Sequence, residues 1–145
     1  MTDTSRFLIK QISVFSENRP GRLAAIAKAL EEENINILAF SIAEADGFGV
    51  VRALVDTPKK AYEKLTGLGF NVAFTDVIAV KMRDSPGGLY EIAKMLGDGQ
   101  INIEYSYAYS GKEGGVLILR VDNAEEAVRL ISTLGATLLE SRVFH

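Results

Sequence analysis

An internal duplication constrains this chain more than any other feature of its sequence. The segment at 16–23 (SENRPGRL) returns at 82–89 (MRDSPGGL), so residue 21 aligns with residue 87 at an offset of 66 positions. The same offset, without a gap, places Ile35-Asn36-Ile37 on Ile101-Asn102-Ile103 and Leu68-Gly69 on Leu134-Gly135. This period exceeds the roughly 20 to 50 residues of solenoid repeats. The sequence therefore predicts two small globular domains, residues 1–75 and 76–145.

Each copy has the pattern strand, helix, strand, strand, helix, strand. In the first copy the β-branched and aromatic runs predict strands over 7–15, 35–43, 49–55 and 71–80, with a hairpin turn at Asp46-Gly47. Apolar residues at helical spacing predict one helix from the Pro-Gly turn to Asn34 and a second from Thr57-Pro58 to Gly69. The second copy is expected to repeat this order, with Ser85-Pro86 and Asn123 opening its helices and Gly135 closing the last. Residues 71–83 must serve both copies.

This element order predicts the fold class. Two split βαβ motifs form an antiparallel sheet with both helices on one face. We therefore expect an α+β protein built from two tandem ferredoxin-like βαββαβ units.

Composition excludes several functional classes. The net charge of −3 provides no basic surface for nucleic acid or an anionic membrane, and the absence of cysteine removes thiol nucleophiles and thiolate metal sites. No apolar run is long enough to span a membrane, and the first residues lack the pattern of a signal peptide, so a cytoplasmic protein is expected. The single histidine, His145, stands at the chain end, where fraying disfavours catalysis. We expect no catalytic residue, metal or cofactor.

The two Pro-Gly turns are the candidate binding elements. Each joins a strand to a helix N-terminus, whose backbone N–H groups attract a carboxylate or phosphate. Asn36 and Asn102 open the following strand, and we expect each to reach towards the turn of its own copy. Amide side chains both donate and accept hydrogen bonds, as an amino-acid zwitterion requires. Asn18 and Asp84 share one turn position and can accept from an ammonium. The alternative for each Asn is a local backbone turn bond.

These residues resemble the ACT domain, the small ligand-sensing module of amino-acid metabolism. The resemblance rests on a strand, then Glu-Asn-Arg-Pro-Gly-x-Leu, a helix and Asn-Ile at the next strand, and it covers nearly the whole chain as two tandem copies. It implies allosteric binding of an amino acid at the interface between two ACT units. In serine-sensing members the positions of Asn18 and Asn36 contact the ligand, but those members have His where this chain has Ser16. The ligand-binding residues predicted from turn and resemblance are Asn18, Arg19, Pro20, Gly21, Arg22, Leu23, Asn36 and Ile37 in the first copy, with Asp84, Ser85, Pro86, Gly87, Gly88, Leu89, Asn102 and Ile103 in the second.

Three other functions share parts of this pattern. Regulatory subunits of acetolactate synthase resemble the first copy only. An acylphosphatase-like enzyme would use Arg19 or Arg22 with Asn36, although the second copy has Ser85 and Gly88 in place of the arginines. An RNA-binding module would stack bases on an aromatic strand face such as Tyr105, Tyr107 and Tyr109, but the basic motif of such modules is absent.

We therefore predict a non-enzymatic amino-acid sensor that regulates an enzyme or a transcription factor. Open sheet edges invite pairing, and Leu38, Phe40 and Ile42 are expected to form a second apolar face on their strand, opposite Ile37 and Ala39. A homodimer is therefore also predicted.

Overall fold

The computed structural model describes residues 4–112 and 114–145. It confirms the α+β class and the tandem ferredoxin-like pattern of antiparallel strands with helices on one face. The elements are β1 (Ile9–Glu17), α1 (Arg22–Glu32), β2 (Ile37–Ala45), β3 (Phe48–Val55), α2 (Pro58–Gly67), β4 (Asn71–Lys81), α3 (Gly88–Asp98), β5 (Ile103–Gly111), β6 (Gly114–Val121) and α4 (Ala124–Thr133), with short 3-10 helices at Ser5–Phe7 and Ser141–Val143.

Two compact units share the chain. The N-terminal unit contains residues 10–75 and 144–145, and the C-terminal unit contains residues 4–9 and 76–143. As expected, one strand serves both copies, because β4 passes from the first unit to the second between residues 75 and 76. The domain limits 1–75 and 76–145 follow the sequence repeat and stay a prediction.

In the N-terminal unit the strands lie in the order β2-β3-β1-β4. The central β3 pairs antiparallel with both neighbours, opposing Ala53 to Ile12 of β1 and Val55 to Ile37 of β2. One face of the sheet packs against the apolar stripes of α1 and α2. Its buried core consists of Ile12, Val14, Ile26, Ala29, Leu30, Ile35, Val51, Ala53, Val55, Ala61 and Leu65.

The C-terminal unit repeats this arrangement with the strand order β4-β6-β5. On β5, half-buried tyrosines 105, 107 and 109 alternate with exposed residues, which confirms that the three rings share one face. The core of this unit consists of Ile78, Val80, Ile92, Leu96, Ile101, Leu117, Leu119, Val121, Ala127, Val128 and Ile131.

Two strand predictions are wrong. The last strand of the second copy is only an isolated bridge between Leu138 and Val80 of β4, because the chain turns into the 3-10 helix Ser141–Val143 soon afterwards. The first strand begins at Ile9 rather than Phe7, since Phe7 ends a 3-10 helix and packs against the core of the C-terminal unit.

A β-bulge changes the predicted faces of β2. The register with β3 shifts between Ile37 and Ala39, so Phe40 lies opposite Ala53. Ala53 belongs to the core that packs under the helices. Phe40 and Ile42 therefore lie on the same side as Ile37, not on the opposite face, because the extra residue of a bulge reverses the alternation.

Most helix and turn signals are confirmed. Asp46 and Gly47 form the hairpin turn with φ of 53° and 83°, and the Asn123 side chain accepts the Glu126 N–H at 3.1 Å. Pro58 occupies the first turn of α2. Pro20 and Pro86 instead precede their helices, because Gly21 and Gly87 take the N-cap positions.

Candidate functional site

The first Pro-Gly turn, residues 18–21, is held by backbone hydrogen bonds. Asn18 N–H donates to the Gly47 carbonyl at 2.9 Å, and Arg22 N–H donates to the Arg19 carbonyl at 3.2 Å. Gly21 has a φ of 90°, in the left-handed region that favours glycine, and it is the N-cap residue of α1. Because glycine has no side chain, it cannot cap the helix, and the turn presents the helix N-terminus to solvent.

The side chains around this turn place a net positive charge near the N-terminus of α1. Arg22 Nε donates to Ser16 Oγ at 2.8 Å, and the Arg19 guanidinium lies 3.5 Å from the Glu17 carboxylate. The first turn of α1 contains no acidic residue. Segment 16–25 therefore has a formal charge of +1, which favours an anionic group at this end of α1.

Arg22 has a second contact that the sequence analysis missed. Its guanidinium carbon lies 5.2 Å from the centre of the Phe70 ring, within cation–π range. Phe70 also packs against the core of the N-terminal unit. Arg22 therefore connects the turn to the segment between α2 and β4 as well as to the end of β1.

The second Pro-Gly turn, residues 84–87, keeps the backbone geometry and changes the electrostatics. Gly87 has a φ of 94° and a ψ of −10°, close to the 90° and −13° of Gly21. Arg83 forms hydrogen bonds with the Ser85 hydroxyl and with the Glu91 carboxylate. Segment 82–91 has a formal charge of −1, and the first turn of α3 contains the acidic residue Glu91.

Gly88 allows this second turn to close tightly. A Cβ atom at residue 88 would lie 2.1 Å from the Arg83 carbonyl oxygen. In the first copy the equivalent residue is Arg22, so the two copies differ here in side-chain volume as well as in charge.

Asn36 does not reach the turn of its own unit, so that expectation is wrong. Glu17, before the turn, pairs with Phe48 at one end of β3, whereas Ile37 pairs with Val55 at the other end. These ends are roughly 23 Å apart at about 3.3 Å per residue. The reason is the crossover: α1 returns the chain to the edge where β1 begins, and β3 lies between β1 and β2.

The same separation holds in the C-terminal unit. Met82 N–H donates to the Gly115 carbonyl near the start of β6, whereas Ile103 pairs with Val121 at its end. Asn102 therefore lies far from the second turn. In the N-terminal unit, Arg22 and Asn36 lie at opposite ends of the sheet. These two residues therefore do not form an acylphosphatase-like pair within that unit.

Asn36 instead borders a concavity of about 360 Å³ in the N-terminal unit. Glu31 and Asn34 line it from the C-terminal end of α1, where the helix dipole favours positive charge. The backbone of Asn36 pairs with Asp56, and its side chain is exposed at the concavity. This concavity therefore suits an ammonium group.

The predicted site residues are placed as two clusters per copy. The turn cluster and the Asn-Ile cluster of each copy lie at opposite sheet ends. Most are exposed, namely Asn18, Arg19, Pro20, Gly21, Leu23, Asn36, Asp84, Ser85, Pro86, Gly87, Leu89 and Asn102, whereas Arg22, Ile37 and Ile103 are half-buried and Gly88 is buried.

The comparison with protein families decides the relationship. The model of the ACT domain pair matches residues 7–140. The chain belongs to the ACT domain pair family. Its ACT repeat accounts for the recurrence of both the Pro-Gly turn and the Asn-Ile strand opening.

Solved structures share this ACT fold along most of their length. Protein BT0572 from Bacteroides thetaiotaomicron is 32% identical, with 94% of each chain covered and a TM-score of 0.88. The ligand-free regulatory subunit of aspartate kinase from Thermus thermophilus is 19% identical, with 90% of this chain and 95% of that chain covered and a TM-score of 0.64. The comparison with curated proteins gives no match.

Residues 4–112 and 114–145 contain no group of three His, Asp or Glu side chains able to hold a metal ion. No helix there has the length and apolarity to cross a membrane. His145, expected to fray, forms hydrogen bonds with the backbone of Val55 and Asp56.

Proposed function

We propose that this ACT domain pair is a non-catalytic sensor that binds an amino acid through its first Pro-Gly turn. The observation that carries the proposal is the N-terminus of α1, with Gly21 as N-cap residue, no acidic residue in its first turn, and the side chains of Arg19 and Arg22 beside it. Backbone N–H groups and guanidinium groups are the donors that a carboxylate requires. The ligand is therefore held first by its α-carboxylate.

The ammonium end of the ligand needs a second group of acceptors. The concavity beside Asn36 combines an amide, the Glu31 carboxylate and a helix C-terminus. Because this concavity lies at the far end of its own unit, we propose that an ACT unit of a second copy of the chain supplies it. The sensor is accordingly a homodimer in which ligand binding and chain pairing are coupled.

The edge strand of the N-terminal unit supports this pairing. β2 is the first strand in the sheet order, and its Phe40 and Ile42 side chains are 51% and 44% exposed. An edge with free backbone groups and apolar side chains favours association with another chain. We propose that the dimer forms along β2.

The regulated target is an enzyme or a transcription factor of amino-acid metabolism. Membership of the ACT domain pair family supports the regulatory role. The aspartate kinase regulatory subunit from Thermus thermophilus has the same fold, and we propose a comparable non-catalytic task for this chain in the cytoplasm.

Two glycines with matching geometry test the turn. Gly21 and Gly69 both have a φ of 90°, and a Cβ atom at either position would meet nothing within 4 Å. Gly21→Ala and Gly69→Ala should therefore cost similar stability, about 1 kcal/mol. Calorimetric titration with amino acids should show weaker binding in Gly21→Ala alone. Equal affinities in the two variants would contradict the assignment of the turn.

A further inference from the structure

The C-terminal unit contains a cavity lined by both charged and apolar side chains. It has a volume of about 290 Å³ and lies between the start of α3 and the segment after α4. At the 66-residue offset, Gly88 corresponds to Arg22 and Ala136 to Phe70. In the N-terminal unit Arg22 and Phe70 stack on each other at 5.2 Å. At residue 136 the second copy therefore has a small alanine where the first copy has the Phe70 ring, whereas the space beside Gly88 is taken by the Arg83 carbonyl.

Its charges favour an anion. Lys81, Arg83 and Glu91 line the cavity, giving a formal charge of +1. Arg83 and Glu91 neutralise each other through their ion pair. In the described ranges, 4–112 and 114–145, the Lys81 ammonium makes no ion pair, while the backbone N–H of the same residue donates to the Thr137 carbonyl at 2.8 Å. Lys81 is thus the positive charge available to a ligand.

Apolar side chains also line the cavity. Ile92, Met95, Leu134 and Ala136 line it, and Met95 is a flexible side chain that adapts to irregular shapes. A volume near the lower end of the range for small-molecule pockets, about 300 to 1,000 Å³, suits a molecule of amino-acid size.

We propose that this cavity binds a small carboxylate with an aliphatic chain, the carboxylate on Lys81 and the chain against Ile92, Met95 and Ala136. Two sources share this chemistry, an aliphatic α-amino acid and the corresponding 2-oxo acid. The site is separate from the exposed first turn and lies within the C-terminal unit, so the two copies bind ligands at different places.

The test uses nuclear magnetic resonance of the ¹⁵N-labelled full chain. The probes are L-leucine, 4-methyl-2-oxopentanoate and isopentylamine, which has the same carbon chain without a carboxylate. The two carboxylates should produce saturable shifts at the amides of Gly88, Gly135 and Thr137, and the amine should not. The carboxylate with the higher affinity shows whether the cavity binds the amino acid or the 2-oxo acid. Absence of saturable shifts with both carboxylates would overturn the proposal.

Two variants locate the binding. Ala136→Phe restores the residue of the first copy and fills the cavity, so the saturable shifts should disappear. Lys81→Gln should weaken carboxylate binding by about tenfold, since it removes a charge-assisted contact. Lys28→Gln, with the same change of charge on the N-terminal unit, is the matched control and should bind normally. Unchanged affinity in Ala136→Phe or Lys81→Gln would overturn the proposal, while the calorimetric result for Gly21→Ala reports separately on the first turn.

Discussion

Asp56 and Asn36 hold each other through two hydrogen bonds. The Asp56 carboxylate accepts the Asn36 backbone N–H at 3.2 Å, and the Asp56 backbone N–H donates to the Asn36 carbonyl at 3.1 Å. Asp122 and Asn102 repeat both bonds, each at 3.1 Å. In both copies the pair uses only the backbone of the asparagine and leaves its side chain outside the clamp.

The clamp should contribute modestly to stability. Asp56→Ala removes the hydrogen bonds that the carboxylate accepts from the Asn36 backbone N–H and from the exposed Thr57 hydroxyl, and we expect the free energy of unfolding to fall by about 0.5 to 1.5 kcal/mol. Asp122→Ala should cost no more than this, because it removes the matching bond to the Asn102 backbone N–H without a bond from a neighbouring threonine. Urea denaturation followed by circular dichroism measures both values. A loss with Asn36→Ala as large as with Asp56→Ala would contradict the clamp, since the alanine variant keeps the backbone bonds.

Asn36 should matter for ligand binding rather than for folding. Asn36→Ala removes a hydrogen bond to a charged ligand group, and affinity should fall by about 1.5 to 3 kcal/mol, or roughly tenfold to a hundredfold. Calorimetry measures the change, and the exposed Asn71→Ala is a control of the same chemistry. If affinity and stoichiometry stay unchanged in a folded Asn36→Ala, Asn102→Ala double variant, the asparagines do not mark the ligand sites.

Chain pairing should depend on the exposed edge of β2. Phe40→Glu places a charge among apolar side chains, and we expect it to shift the dimer towards monomer at micromolar concentration. Leu68→Glu, also more than half exposed in the wild type but at the end of α2, should leave the dimer intact. Sedimentation velocity distinguishes the species. A monomeric wild-type chain, with or without amino acids, would exclude the proposed dimer.

His145 should titrate below the ordinary value for histidine. Burial lowers the pKa of His145 more than its hydrogen bonds to Val55 and Asp56 raise it. The folded pKa lies below the unfolded value of about 6.5. The contribution of His145 to the free energy of unfolding is therefore complete above a pH of about 6.5 and is lost as the pH falls through the folded pKa. As the chain has one histidine, its ring signal gives the midpoint directly. Equal titration midpoints for His145 in the folded protein and in the chain unfolded by urea would contradict this prediction.

Local chemistry made part of this structure predictable. The Pro-Gly turns, the Asp46-Gly47 hairpin and the Asn123 cap each depend on neighbouring residues, so sequence alone indicates them. The stacking of Arg22 on Phe70 joins residues far apart in the chain, and no local pattern encodes it. The prediction that Asn36 lies beside the turn is wrong for another reason. Asn36 and Asn102 each precede a strand, but the direction of the crossover helix decides at which end of the sheet that strand begins.

Calorimetric titration of the wild-type chain with each of the twenty amino acids tests the sensor most directly. We expect saturable binding of at least one amino acid at millimolar concentration or below, with affinity reduced in Gly21→Ala and retained in Gly69→Ala. Failure of all twenty to bind the folded chain would contradict it.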